Sequence, residues 1–241
     1  MLLVSLRLGP TLAYAQPFTL LRVPTSIRLV LGMTIAAWLV AANPDTTSRA
    51  VAAAPDLLWL AVGELVLGIG LALGLQLAFA ALLTAGRTID IQAGFGLAVL
   101  VDPTTRNQLP LVGTVFAYAA AAVFFDIGGP DDLLAIWSHS VAEIPVGAFG
   151  TGHDPTALIG YCSRVFLVAI GLAGLVLLVL FLLDIAIAFL SRTLPQMNVM
   201  LLGFQIKAIA TIAVLPIAIG LSGALFARLM RAAIEATAEV F

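Results

Sequence analysis

The sequence predicts an all-α, polytopic membrane protein, and three observations carry that reading. The chain of 241 residues is 62% hydrophobic and only 10% charged, and its mean hydropathy of +1.14 lies far outside the range of soluble domains. Its apolar residues fall into six long runs, 2–21, 26–42, 57–84, 109–125, 158–190 and 199–227, near the ~20 residues that a bilayer crossing needs. No window alternates apolar and polar residues as a lipid-facing barrel strand does, which leaves helices to satisfy the backbone in lipid. About six long apolar helices therefore account for most of the chain.

Taken in order, the first run is the least apolar. Ala13-Tyr14-Ala15 has the look of a cleavage site, but no basic segment precedes it, and Arg7, Gly9 and Pro10 interrupt the apolar core, so 2–21 reads as a retained first helix. The third run carries Gly63, Gly68, Gly70 and Gly74; the Gly70/Gly74 spacing would allow close helix approach, although chance spacing in a glycine-rich helix explains it as well. Between the fourth and fifth runs lies the longest connection, 126–157, with no Lys or Arg but with Asp126, Asp131, Asp132, Glu143 and Asp154. By the distribution of basic residues it faces outward, which puts 85–108, with Arg87 and Arg106, and 191–198, with Arg192, on the cytoplasmic side. Arg228 and Arg231 run against that assignment. The last two runs, joined by SRTLPQMN, read as an antiparallel helical hairpin.

Glu64, Arg164, Asp184 and Lys207 fall inside apolar runs. At roughly 2.5–3.5 kcal/mol each on insertion scales, they are expected to face protein, water or one another, for packing or ion pairing. Counted from a turn centre between Leu194 and Pro195, Asp184 and Lys207 differ in depth by only ~3 Å, which predicts an ion pair across the hairpin with Gln205 nearby. The pair fixes helix register, relays protons or ions, or meets a neighbouring subunit. Glu64 has no partner evident from sequence, so another chain or a hydrated cavity is expected to receive it.

Chemistry-bearing motifs are scarce. His139 and His153 sit in the 126–157 connection with no Cys or His at metal-ligand spacing and read as solvated loop histidines. Cys162, the single cysteine, is expected to be a buried, inert thiol. Gly68, Gly70 and Gly74 miss the dinucleotide spacing and follow no strand. There is no P-loop, HExxH or GxSxG motif, and no basic stripe for nucleic acid. The sequence thus points away from an enzyme and predicts no cofactor and no metal.

The stretch DIQAGFGLAVLVDPTTRNQLP, residues 90–110, is unusual between two apolar runs. Asp102, Thr104, Thr105, Arg106, Asn107 and Gln108 suit a wetted lumen; Pro103 and Pro110 stop helix continuation, and Gly94 and Gly96 relax it. An ordinary loop between two spans is the alternative.

Four segments carry a resemblance. FAALLTAGRTIDIQAGFGLAVLVDPTTRNQLPLVG at 79–113 and SRTLPQMNVMLLGFQIK at 191–207 are joined by the leading LRLGPTLAYAQPFTLLRVPTSIRLVLGM, and GELVLGIGLALG at 63–74 fits with them. With these the chain resembles the FliR family of flagellar type III protein-export gates, whose counterpart in virulence type III secretion is the SctT family. The resemblance covers essentially the whole chain, and the PQMN…GF…K run is its most specific part.

The resemblance implies a non-catalytic subunit of the bacterial inner membrane at the flagellar basal body. It would assemble with FliP-like and FliQ-like gate subunits, and with an FlhB-like switch subunit and an FlhA-like export subunit, into a pore for unfolded secreted proteins. It implies a FliP-like part, 1–157, and a FliQ-like hairpin with a C-terminal tail, 158–241. The segment 96–113, with Gly96, Asp102, Pro103, Thr104, Thr105, Arg106, Asn107, Gln108 and Pro110, would project into the pore and plug it, overriding the plain cytoplasmic-loop assignment. The hairpin tip, with Arg192, Pro195, Gln196 and Asn198, would meet the switch subunit. The alternatives are the virulence-type homologue and a small secondary transporter coupled through Glu64, Asp184 and Lys207.

Overall fold

A computed structural model describes residues 1–20, 23–44, 47, 57–95, 110–147, 155–193 and 199–238. The described residues form α-helices and contain no strand. In chain order the helices are α1 (Leu2–Tyr14), α2 (Thr25–Ala42), α3 (Leu57–Ala93), α4 (Leu111–Asp126), α5 (Gly129–Glu143), α6 (Pro155–Thr193), α7 (Val199–Leu221) and α8 (Gly223–Ala238).

Among the described residues the six apolar runs yield four or five candidate crossings, and a count of six is not reached there. Four described helices are long and apolar enough to span a membrane: α2, α3, the Ile159–Thr193 part of α6 and the Leu201–Leu221 part of α7. A fifth results if α4 and α5, bent by 70° at a short break, count together. The first run yields a helix of only 13 residues. The fourth run yields 16, and Gly128 in the left-handed conformation (φ 82°) then turns the chain into α5.

Several sequence expectations are corrected. The 126–157 connection is not a simple loop: over Gly129–Glu143 it is a helix, opened by Pro130 in the first turn, where the missing N–H is harmless. Leu133, Ile136, Trp137 and Val141 are buried on one face while Asp131 and Asp132 are exposed at the start, where a helix N-terminus favours negative charge. His139 lies exposed on this helix and not in a loop, and His153 is outside the described residues. The 199–227 run breaks at Ser222, and the chain after Arg231 continues as helix to Ala238. Helix α3 extends nine residues beyond the expected end of its run, from Ala85 to Ala93, so the start of the 85–108 segment is helical. Cys162 is half-buried.

The chain divides into two compact units, and α3 contributes to both. In the first unit (1–78, 121–163 and 230–241), α1 lies against α2 and against α3. Pro10 inside α1 has no N–H to give the Leu6 carbonyl, and the carbonyls of Leu6 and Arg7 face Gly68, where a Cβ would collide with them. Gly74 is enclosed as well: Thr237 of α8 occupies the space a Cβ would need, and the buried Tyr161 hydroxyl donates to the Gly74 carbonyl. Edge-to-face contacts join Phe124 to Phe18 and to Phe125.

The second unit (79–120 and 164–229) is built from the end of α3, α4, most of α6, α7 and the start of α8. Helices α3 and α4 cross at Gly86 and Gly113, whose backbones leave no room for a side chain at Gly86. Phe116 of α4 packs edge-to-face on Phe226 of α8. Ile187 touches Gly203 and Asp184 meets Lys207; the two contacts step in opposite directions along α6 and α7, as an antiparallel pair requires.

Candidate functional site

Two polar clusters stand inside this apolar chain, one in each unit. In the first unit, Arg7 and Glu64 are buried side by side. Arg7 Nε–H donates to Glu64 Oε2 at 2.7 Å and Nη2–H to Oε1 at 2.9 Å, the bidentate fork that guanidinium and carboxylate geometry favours. Arg7 Nη1 donates to the Ser140 carbonyl at 2.8 Å, to Ser140 Oγ at 3.0 Å and to the Ile144 carbonyl at 3.1 Å. Glu64 Oε1 also accepts the Gly147 N–H at 3.1 Å. One arginine thus ties α1 to α3, to the end of α5 and to the segment beyond it.

A buried pair survives only when its desolvation is offset by such complete hydrogen bonding. The cluster therefore reads as a lock on the fold of the first unit. Glu64, expected to look to another chain or a hydrated cavity, finds its partner within the chain. Sequence reading treated Arg7 as an interruption in a weak first helix; the available signal was that an arginine in an apolar run needs a carboxylate as much as the reverse.

The second cluster is the last turn of α3, the DIQAG that opens the unusual 90–110 stretch. Asp90 is buried and its Oδ1 accepts the Val112 N–H at 3.1 Å, one of the first-turn amides of α4 that have no partner within their own helix. Its other oxygen, Oδ2, is buried and has no hydrogen-bond partner among the described residues. Gln92 Nε2 donates to Asp184 Oδ2 at 2.8 Å, and Asp184 Oδ1 pairs with Lys207 Nζ. Gly94 closes the turn with φ 86°, a conformation that glycine adopts at little cost. The Phe204 ring of α7 fills the place where a Cβ would be.

The structure brings Asp184 and Lys207 together. Gln205, expected beside them, is exposed, and the amide that joins the pair is Gln92. Arg164 is exposed on α6 and Arg192 is exposed in its last turn, where a cation complements the helix dipole. Pro110 sits at the start of α4, its carbonyl accepting from both the N–H and the hydroxyl of Thr114. Gly96, Asp102, Pro103, Thr104, Thr105, Arg106, Asn107 and Gln108 lie outside the described residues, as do Pro195, Gln196 and Asn198. Sequence reading missed Asp90 and Gln92 as site residues; their carboxylate and amide stood just before the glycine in the quoted stretch.

With this geometry in place, comparison with known proteins is informative. The sequence matches the family model of bacterial export proteins, family 1, over residues 1–233. It is 31% identical over 150 residues to the flagellar biosynthetic protein FliR of Escherichia coli (strain K12), covering 62% of this chain and 58% of that one. With the flagellar biosynthetic protein FliR of Aquifex aeolicus (strain VF5), identity is 26% over 186 residues, 77% and 71% of the two chains. With the Yop proteins translocation protein T of Yersinia pestis it is 30% over 148 residues, 60% and 57%. The matched stretches thus span less than two thirds of the Escherichia coli and Yersinia relatives. The match over nearly the whole chain places this protein in the family of bacterial export proteins, family 1.

Proposed function

We propose that this chain is a non-catalytic subunit of a type III protein export gate, of the flagellar kind, in the bacterial inner membrane. The observation that carries the reading is the family match over residues 1–233, with relatives named as flagellar biosynthetic proteins and as a Yop translocation protein. FliP-like and FliQ-like subunits complete the pore, FlhB-like and FlhA-like proteins adjoin it, and unfolded secreted proteins are its cargo. The chain contributes a FliP-like part, 1–157, and a FliQ-like hairpin, 158–241. The antiparallel α6–α7 pair, the buried Arg7–Glu64 fork and the Asp184–Lys207 pair support a scaffold in which protein partners satisfy these four charges.

The segment 96–113 plugs the pore in this reading, and the tip around Arg192, Pro195, Gln196 and Asn198 meets the switch subunit. Deleting 102–109 is expected to leave the complex assembled and to raise its ion conductance in reconstituted vesicles. An assembled mutant complex that conducts no more than the intact one refutes the plug. The Yersinia relative keeps a virulence-type role as the second reading. Restoration of motility to a non-motile strain lacking its own homologue separates the two.

A further inference from the structure

Within the last turn of α3, Asp90 and Gln92 are two residues apart and so point to different sides of the helix, about 200° apart at 3.6 residues per turn. On one side the Asp90 carboxylate holds the Val112 N–H of α4. On another the Gln92 amide holds Asp184 of α6, which also carries Lys207 of α7. Gly94, one turn above Asp90, rests on Phe204 of α7. A single turn therefore touches three other helices through three residues. We infer that this turn is a junction: Asp90, Gln92 and Gly94 are positioning residues through which the α6–α7 pair sets the place of Pro110–Gly113 at the start of α4.

Two features favour a positioning role over plain packing. Among the described residues Asp90 keeps Oδ2 buried and without a geometrically formed hydrogen bond, an arrangement that costs free energy. The Gly86–Gly113 crossing lets α3 and α4 meet backbone to backbone, so a displacement of the α3 end is passed to α4 with no flexible side chain between them to absorb it. The Asp184–Lys207 pair is partly exposed, with 37% of the Asp184 side chain accessible, so an approaching charge can compete for Asp184 and, through Gln92, act on the turn. The functional consequence rests on the plug reading, since Pro110–Gly113 is the described end of the 96–113 segment; the mechanical claim does not.

The test uses the gate complex purified with its FliP-like and FliQ-like neighbours, with amide hydrogen exchange of the 110–115 peptide and vesicle conductance measured on the same preparations. Gln92→Leu alters a residue that makes no hydrogen bond to α4, yet the junction predicts that it raises exchange at Val112 about tenfold, the scale of one lost hydrogen bond, and raises conductance toward that of the 102–109 deletion. Asp90→Ala is expected to do the same. Asp90→Asn retains an acceptor oxygen and is expected to leave both readouts near those of the intact complex. If Gln92→Leu fails to assemble, Gln92→Ser removes the same contact with a smaller polar side chain. Unchanged Val112 exchange in the assembled Gln92 variant overturns the junction. A 102–109 deletion that does not leak overturns the plug reading instead, and the exchange result then still decides the junction.

Discussion

Arg7 and Glu64 show how one buried pair of side chains can tie three helices together. Every polar nitrogen of the guanidinium has an acceptor, and both carboxylate oxygens are engaged. Removing one partner leaves the other charged and buried, so Glu64→Ala is expected to destabilise the first unit by about 3–5 kcal/mol, read as a loss of accumulated protein and a lower melting temperature in detergent. The double variant Arg7→Leu/Glu64→Leu restores most of that loss, because no charge is then stranded. A double variant as unstable as the single one would show that the hydrogen bonds to Ser140, Ile144 and Gly147 matter more than the charge balance. This pair was not legible from sequence. Its members lie 57 residues apart on α1 and α3, with α2 between them in the chain, so residue counting says nothing about their relative depth. Asp184 and Lys207 flank a short turn, and counting from that turn does fix their depth. The plug residues Asp102–Gln108 remain an expectation drawn from composition and resemblance.

Among the elements, hydropathy located α2, α3, α6 and α7 because each buries its backbone in an apolar run longer than a soluble helix needs. It overlooked α5 and the far half of α8 for a physical reason. Both are amphipathic, with one face against protein and the other carrying charge, such as Arg228, Arg231 and Glu235 beside buried Leu229, Met230 and Ala233, so their average hydropathy resembles that of a loop. The end of α3 was underestimated because Arg87 and Asp90 interrupt the run although the helix continues through them. Close crossings are the other feature of this scale. At Gly86 the neighbouring backbone is that of Gly113 in α4, so no rotamer adjustment makes room for a larger residue. Gly86→Leu is expected to force α3 and α4 apart and to abolish recovery of the assembled complex, whereas Gly171→Leu, at a position with nothing near its Cβ, is tolerated. Equal recovery of the two variants from detergent extracts would contradict the close packing of that crossing.

At the scale of the molecule, a chain with four or five possible crossings also exposes many large apolar side chains, including Ile27, Val30, Trp38, Phe181, Phe189 and Ile212. Exposed apolar side chains in this number suit a surface covered by lipid or by partner subunits. The central claim is that partner subunits complete the molecule, and native mass spectrometry of the detergent-solubilised protein tests it most directly. Expressed with its FliP-like and FliQ-like neighbours, the chain is expected to appear in one hetero-complex of defined mass, and expressed alone to be poorly recovered. A stable particle of this chain alone, unchanged in mass when the neighbours are present, would contradict the export-gate account.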